Sequence, residues 1–152
     1  MARDIFPGAL TGVRQRQGEG DETVLQAVAS RWNAAAAPWN PSQLAAIYAD
    51  DAFFFGGLRE HYVGKKRIEE YYSNYNDVLS WASIYFNDQA VSASIPNVIV
   101  AQGFAELTFG LIEGKTTRNT LRTTLILVAK ESGWEITLHH FSPLPEAPPI
   151  PR

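Results

Sequence analysis

The order of patterns along the sequence predicts an α+β fold, because helical segments come first and long β-strands follow. Up to residue 78, apolar residues recur mainly at helical spacing. From Leu79 onward, long β-rich runs are separated by "IPN", "EGK" and "ESG". We therefore expect one curved antiparallel or mixed β-sheet with about three N-terminal helices packed on its concave side. Three helices cannot fill the whole concavity, so a pocket is expected between the first helix and the sheet.

The first helix is expected to begin near Thr23, which can form a capping box with Gln26. Pro38 should end it. The helical face that should pack on the sheet contains Val24, Leu25, Val28, Trp32 and Ala35.

The second helix is expected at "NPSQ", with Asn40 as N-cap and Pro41 in the first turn. Its apolar side is predicted to comprise Leu44, Ile47 and Tyr48. A short buried strand, "DDAFFFGG", follows, and "GKKRIEEYYSNYND" forms the third helix. One face of that helix carries Ile68, Tyr72 and Tyr75.

The ends of the chain differ from its middle. Residues 1–20 are Gly-rich, charged and without periodicity, which is typical of a flexible arm. Residues 21–145 should form the single domain. Residues 146–152 belong to a proline-rich tail that cannot continue a sheet.

Composition excludes several classes of function. Thirteen basic and sixteen acidic residues give a net charge of -3, and no basic block indicates nucleic-acid binding. No apolar run approaches the roughly 20 residues that cross a bilayer, so we expect no membrane partner and a cytoplasmic location. The absence of cysteine excludes thiolate nucleophiles and Cys-based metal sites.

Two adjacent histidines, His139 and His140, lie near the end of the last predicted strand. Neighbouring residues of a strand point to opposite faces, so the two cannot bind one metal ion, and we expect neither a metal nor a cofactor. The more apolar face, expected to point inward, contains Trp134, Ile136, Leu138, His140 and Ser142. There His140 is a candidate for proton transfer, and the alternative is a structural hydrogen bond to a neighbouring strand.

The strand "RNTLRTTLILVAK" offers a second candidate, because Arg118 and Arg122 share its polar face with threonines. If that face lines the pocket, the two arginines form a fork for a carboxylate. If the polar face meets solvent, both are surface residues. Periodicity does not decide, because a β-bulge or a packed dimer changes which face is buried.

Other candidate binding residues come from the helices and from one strand. Trp32, Tyr48 and Tyr72 lie on helical faces that should point to the sheet, either as core or as pocket lining. Glu106 is a lone acid in an apolar strand, either a buried base or a sheet-surface partner for Arg122.

Three stretches give the chain a resemblance to the nuclear-transport-factor-2-like superfamily: "SRWNAAAAPWNPSQLAAIYADDAFFF", "YVGKKRIEEYY" and "GWEITLHHFSPLP". The first resembles the opening of ketosteroid isomerases and SnoaL-like cyclases. The last is similar to the closing strand of calcium/calmodulin-dependent kinase association domains, which also carry an Arg two residues from the position of Arg122. Over residues 22–145, the resemblance implies a cone-shaped α+β barrel, a cavity for small organic molecules and frequent homodimers.

The chain departs from the ketosteroid isomerases at both catalytic positions. Trp32 stands where the resemblance places a catalytic Tyr, and Gly56 lies near the position of the general-base Asp. An indole and a glycine cannot perform that chemistry. The paired Asp50 and Asp51 of "YADD" are interpreted as a helix-end and turn feature.

Two functions remain open at this point. The first is a cofactor-independent isomerase, lyase (dehydratase) or cyclase for a largely apolar substrate, with Arg122 anchoring an oxygen and His140 shuttling a proton. The second is a non-catalytic module of the association-domain type, which binds a carboxylate-bearing metabolite or only assembles. Trp32, Tyr48, Tyr72, Glu106 and Arg118 are the candidate binding residues in either case.

Overall fold

A computed structural model describes the backbone of residues 19–151 and the side chains of residues 21–151. Its three helices are α1 (Glu19–Ala36), α2 (Pro41–Ala45) and α3 (Lys65–Ser73). The six strands are β1 (Tyr48–Phe55), β2 (Tyr62–Val63), β3 (Leu79–Ile95), β4 (Val98–Leu111), β5 (Thr116–Lys130) and β6 (Gly133–Pro143).

All six strands belong to one curled sheet in the order β2-β1-β6-β5-β4-β3. Its edges are β2 and β3, so the sheet does not close. The pairing of β1 with β6 is parallel and every other pairing is antiparallel. The predicted mixed, curved sheet with three helices is therefore confirmed.

Sheet curvature arises partly from irregularities in the long strands. In β3, the register changes between Asn87 and Ala90, and Asp88 there has a φ of 46°. A Cβ on Gly103 of the neighbouring strand would lie 2.2 Å from the carbonyl oxygen of Asp88. Only a glycine at position 103 lets the two backbones approach this closely.

The helices cover the inner face of the sheet. Helix α1 packs mainly on β3 and α3 packs on α2 and β1. The buried side of α1 includes Leu25, Val28 and Trp32, as the helical spacing predicts. On the sheet, Ile99, Leu125 and Leu127 are fully buried beneath the helices.

Some predicted boundaries are wrong by several residues. Helix α1 begins four residues before Thr23, so Thr23 lies inside the helix rather than at its cap. The cap of α2 is confirmed, since the amide of Gln43 donates to Asn40 Oδ1 at 3.1 Å. Helix α2 ends earlier than predicted, and Tyr48 is already the first residue of β1.

Asp50 and Asp51 also lie in β1 rather than at a helix end. Both are exposed, and Lys65 pairs with Asp50 at 3.2 Å. The two carboxylates therefore face solvent. They take no part in the interior described below.

The predicted N-terminal arm falls outside the described residues, except for residues 19 and 20, which open α1. Residues 144–151 form neither helix nor strand and are exposed. No helix in the described part of the chain is both long enough and apolar enough to span a membrane.

Candidate functional site

An apolar cavity of about 280 Å³ lies between the helices and the inner face of the sheet. The helical side contributes five aromatic side chains: Trp32, Trp39, Tyr71, Tyr72 and Tyr75. The sheet contributes mainly Leu107, Phe109, Leu121 and Phe141. No residue lining this cavity, among those that the structure describes, carries a charge at neutral pH.

A chain of buried hydrogen bonds begins at this cavity and runs into the core. Trp32 Nε1 donates to Tyr72 Oη at 3.2 Å, and both residues line the cavity. Tyr72 Oη lies 2.7 Å from Tyr48 Oη, which in turn lies 2.8 Å from His139 Nδ1. Tyr48 and Tyr72 are both less than 3% exposed. Two phenols therefore connect the cavity wall to a buried imidazole.

Burial keeps the three titratable groups of this hydrogen-bond chain, namely His139, Tyr72 and Tyr48, neutral. Removal from water, with a smaller contribution from the neighbouring His140, lowers the pKa of His139 to about 3. Burial raises the pKa of Tyr72 to about 12. Burial, followed by the neighbouring Tyr72, also raises the pKa of Tyr48. At neutral pH the chain thus consists of neutral donors and acceptors.

A second group of hydroxyls lies around the backbone of Gly57. The amide of Gly57 donates to Tyr71 Oη at 2.8 Å. A Cβ built on Gly57 would lie 3.5 Å from Tyr71 Oη and 3.6 Å from Tyr75 Oη. Burial raises the pKa of Tyr71, so this phenol also stays protonated. The cavity therefore has polar atoms at two places, and both are uncharged.

The predicted orientation of the β6 histidines is wrong. Ile126 lies opposite Leu138 while Leu127 lies opposite Ile136, so Thr137 is an extra residue in β6. Such a β-bulge shifts the alternation by one residue. His139 is consequently 1% exposed, whereas His140 is exposed.

The bulge divides the face that was predicted to be internal. Before it, Ile136 is buried and Trp134 packs against the core, as predicted. After it, Leu138, His140 and Ser142 point to the outer face of the sheet, and His139 and Phe141 point inward.

The outer face also carries the two candidate arginines. On β5, Thr123, Leu125 and Leu127 are buried, so Arg118 and Arg122 face away from the helices. Glu106 pairs with Arg118 Nε at 3.3 Å rather than with Arg122. The helix-side cavity therefore contains neither the carboxylate fork nor the lone acid that the sequence suggested.

Arg122 and His140 nevertheless lie near each other in an open groove of about 560 Å³ on the outer face. Cross-strand pairing places Arg122 beside Ser142, and Thr124 beside His140. Gln102 Nε2 donates to Thr124 Oγ1 at 3.0 Å. This groove is separate from the aromatic cavity, because β5 and β6 lie between them.

The model of the SnoaL-like domain family matches residues 25–146. The chain belongs to this family. Among curated proteins, none matches its sequence significantly.

Solved structures similar to this SnoaL-like chain share its fold. A candidate calcium/calmodulin-dependent protein kinase II association domain from Xanthomonas campestris is 26% identical, with a TM-score of 0.74, over 86% of this chain and 91% of that one. A nuclear transport factor 2-like protein from Salmonella enterica is 20% identical, with a TM-score of 0.67, over 86% and 99%. A candidate dehydratase from Streptomyces avermitilis is 14% identical, with a TM-score of 0.67, over 82% and 97%.

Sequence reasoning found part of the cavity of this SnoaL-like domain. Trp32 and Tyr72 do line it, and Tyr48 lies directly behind Tyr72. His139 was overlooked because the alternation was continued through Thr137. The aromatic character of Phe141, at the same parity as His139, was the one signal in the sequence that pointed to the correct face.

Proposed function

We propose that this SnoaL-like protein binds a small, neutral and largely apolar organic molecule in the helix-side cavity. The observation that carries the proposal is a cavity of about 280 Å³ with an aromatic and aliphatic lining. Ligand pockets are typically concave and apolar, with a few polar groups that orient the ligand. Here those groups are the hydroxyls of Tyr71, Tyr72 and Tyr75.

The charge of the site supports a neutral ligand over a carboxylate. A carboxylate buried in this cavity would lose its hydration without gaining a cationic partner, which is costly. Arg118 and Arg122, the cations considered from the sequence, lie on the other face of the sheet. The cavity volume is near the lower end of ligand pockets, about 300–1,000 Å³, so a one- or two-ring compound fits best.

Thermal denaturation with a panel of one- and two-ring compounds tests the proposal. A compound at ten times its Kd should stabilise the native state by about 1.4 kcal/mol, because it binds only that state. For a chain of this size the Tm should rise by roughly 3–6 °C. Charged analogues of the same rings should have no effect.

Two tryptophan substitutions on the same strand provide matched controls. Leu121→Trp should fill the cavity and abolish the Tm increase, because Leu121 lines it. Val128→Trp should preserve the increase, because Val128 points to the outer face. Equal responses of the two variants, or stronger stabilisation by carboxylates, would contradict binding in this cavity.

A second candidate function is proton transfer of the isomerase, dehydratase or cyclase type, without a cofactor. The hydrogen bonds from Tyr72 through Tyr48 to His139 favour it, since they connect the cavity wall to an imidazole. His140 and Arg122 lie outside that cavity and would act only on a ligand of the outer groove. Deuterium exchange into a bound ketone tests this function: exchange in the wild type that is lost in His139→Gln supports it, and no exchange refutes it.

We also propose that the protein forms a homodimer through the outer face of the sheet. No helix packs on this face in residues 19–151, and large aromatic side chains project from it, namely Phe53, Phe55, Trp81 and Tyr85. Exposed apolar patches of this kind mark protein–protein contacts. Sedimentation equilibrium should give a dimer that Tyr85→Arg weakens, and a wild-type monomer would refute it.

A further inference from the structure

The direction of the hydrogen-bond chain behind the cavity depends on where its hydrogens lie. Three links join Trp32, Tyr72, Tyr48 and His139. Trp32 Nε1 can only donate, so Tyr72 Oη accepts the first link. The remaining two links run in one direction or the other, depending on which imidazole nitrogen of His139 carries the hydrogen.

If His139 Nδ1 accepts, every hydroxyl hydrogen in the chain is used. Tyr48 then donates to His139, Tyr72 donates to Tyr48, and the hydrogen of the imidazole lies on Nε2. Within these four side chains, only that Nε2–H is left without a hydrogen-bond partner among the described residues.

If His139 Nδ1 donates, the last two hydrogen bonds reverse their direction and two polar groups are left without a partner. Tyr48 then donates to Tyr72, whose own hydrogen has no acceptor in the chain, and Nε2 becomes a bare lone pair. Each buried unsatisfied polar group destabilises the folded state. The first arrangement is therefore the more stable one in the free protein.

The surroundings of His139 favour the same arrangement. Its ring lies 4.0 Å from the ring of Phe141 and 5.7 Å from that of Phe54, measured between centroids. Neither ring offers a hydrogen-bond donor to a bare lone pair on Nε2, whereas an N–H can lie against an aromatic ring. Both considerations place the hydrogen on Nε2.

With the hydrogen of Tyr72 directed to Tyr48, the oxygen of Tyr72 keeps one lone pair after accepting from Trp32. We propose that the cavity selects neutral ligands that donate a hydrogen bond, through an O–H or N–H, over ligands of the same shape that only accept one. This selectivity rests on the proposed function, because it concerns the same cavity. Tyr48 and His139 act as positioning residues, since they set the direction in which Tyr72 donates.

Three compounds of matched shape test the selectivity by isothermal titration: indole only donates, 1-indanone only accepts, and indene does neither. A net hydrogen bond contributes about 0.5–1.5 kcal/mol, so indole should bind roughly three- to tenfold more tightly than indene. 1-Indanone should gain no hydrogen bond from Tyr72 and should therefore bind less tightly than indole.

Tyr48→Phe separates a positioning role from a merely structural one. This variant removes the acceptor of the Tyr72 hydrogen, so 1-indanone should gain roughly three- to tenfold in affinity relative to the wild type. Tyr62→Phe is the matched control, since it removes a phenol hydroxyl that bonds Glu60 outside the cavity and should leave the indole to 1-indanone ratio unchanged. An unchanged ratio in Tyr48→Phe, or a wild-type preference for 1-indanone, would overturn the inference.

The ¹⁵N shifts of His139 give a measurement that needs no variant. The free protein and its indole complex should show Nε2–H, and an Nδ1–H tautomer in the free protein would overturn the inference even if Tyr48→Phe does not fold. Binding of all three compounds with equal affinity refutes the selectivity alone. Failure of all three to bind refutes the proposed function together with it.

Discussion

Acidification should destabilise this protein through His139, the histidine that the fold removes from water. Burial lowers the pKa of His139 to about 3 in the native state, against an ordinary value of 6.5. Between these two values the unfolded chain takes up a proton and the native protein does not. The free energy of unfolding therefore falls as the pH falls below about 6.5, and this loss ends only near pH 3.

The magnitude follows from the difference in proton binding. Each pH unit well inside this window costs about 1.4 kcal/mol. Between pH 7 and pH 5, where the unfolded histidine changes from mostly neutral to almost fully charged, the loss is about 2 kcal/mol. The total free energy of unfolding of a protein is typically about 5–15 kcal/mol, so a loss of this size is easily measured.

Urea denaturation at pH 7 and pH 5 would measure this loss of unfolding free energy in the wild type, His139→Gln and His140→Gln. His139→Gln should be less stable than the wild type at pH 7 but should lose about 2 kcal/mol less on acidification. His140→Gln should keep most of the wild-type dependence, because burial is the main cause of the lowered pKa of His139. If both variants retain the full dependence on pH, the pKa of His139 is not lowered by burial and the reasoning is wrong.

The remaining predictions concern two glycines near the cavity and the N-cap of α2. Gly56→Ala should destabilise the protein by roughly 1–3 kcal/mol through overpacking, because a Cβ there would lie 2.5 Å from Tyr71 Cζ. Gly57→Ala is its control and should be nearly neutral, since its Cβ would be at ordinary contact distance. Asn40→Ala should cost about 1 kcal/mol by removing the cap of α2, and an unchanged urea midpoint would contradict that role.

The overall fold could be predicted because its signals are local. The change from helical to alternating spacing near Leu79 coincides with the start of β3, and the Asn40 and Pro41 signature marks the start of α2. Apolar spacing on α1 correctly identified Trp32 as an interior residue. Each of these features depends on a few neighbouring residues.

The site was predicted less well because its geometry depends on contacts between strands. Alternation in β5 gives two faces, and only packing of the helices determines that Leu125 is inside and Arg122 outside. The bulge at Thr137 arises from pairing with β5, so β6 alone does not reveal it. The pairing of Glu106 with Arg118 likewise depends on the register between β4 and β5.

The extra residue in β6 has a consequence for how related chains should be aligned. Deletion of Thr137 would remove the bulge and still leave Leu138 opposite Ile126, so His139 would stay beneath the helices and His140 at the surface. A homologue of the same length that pairs these strands without the bulge would instead carry its two histidines on the opposite faces of the sheet. Inheritance of a histidine in this family therefore says little about its role until the pairing of the two strands is known.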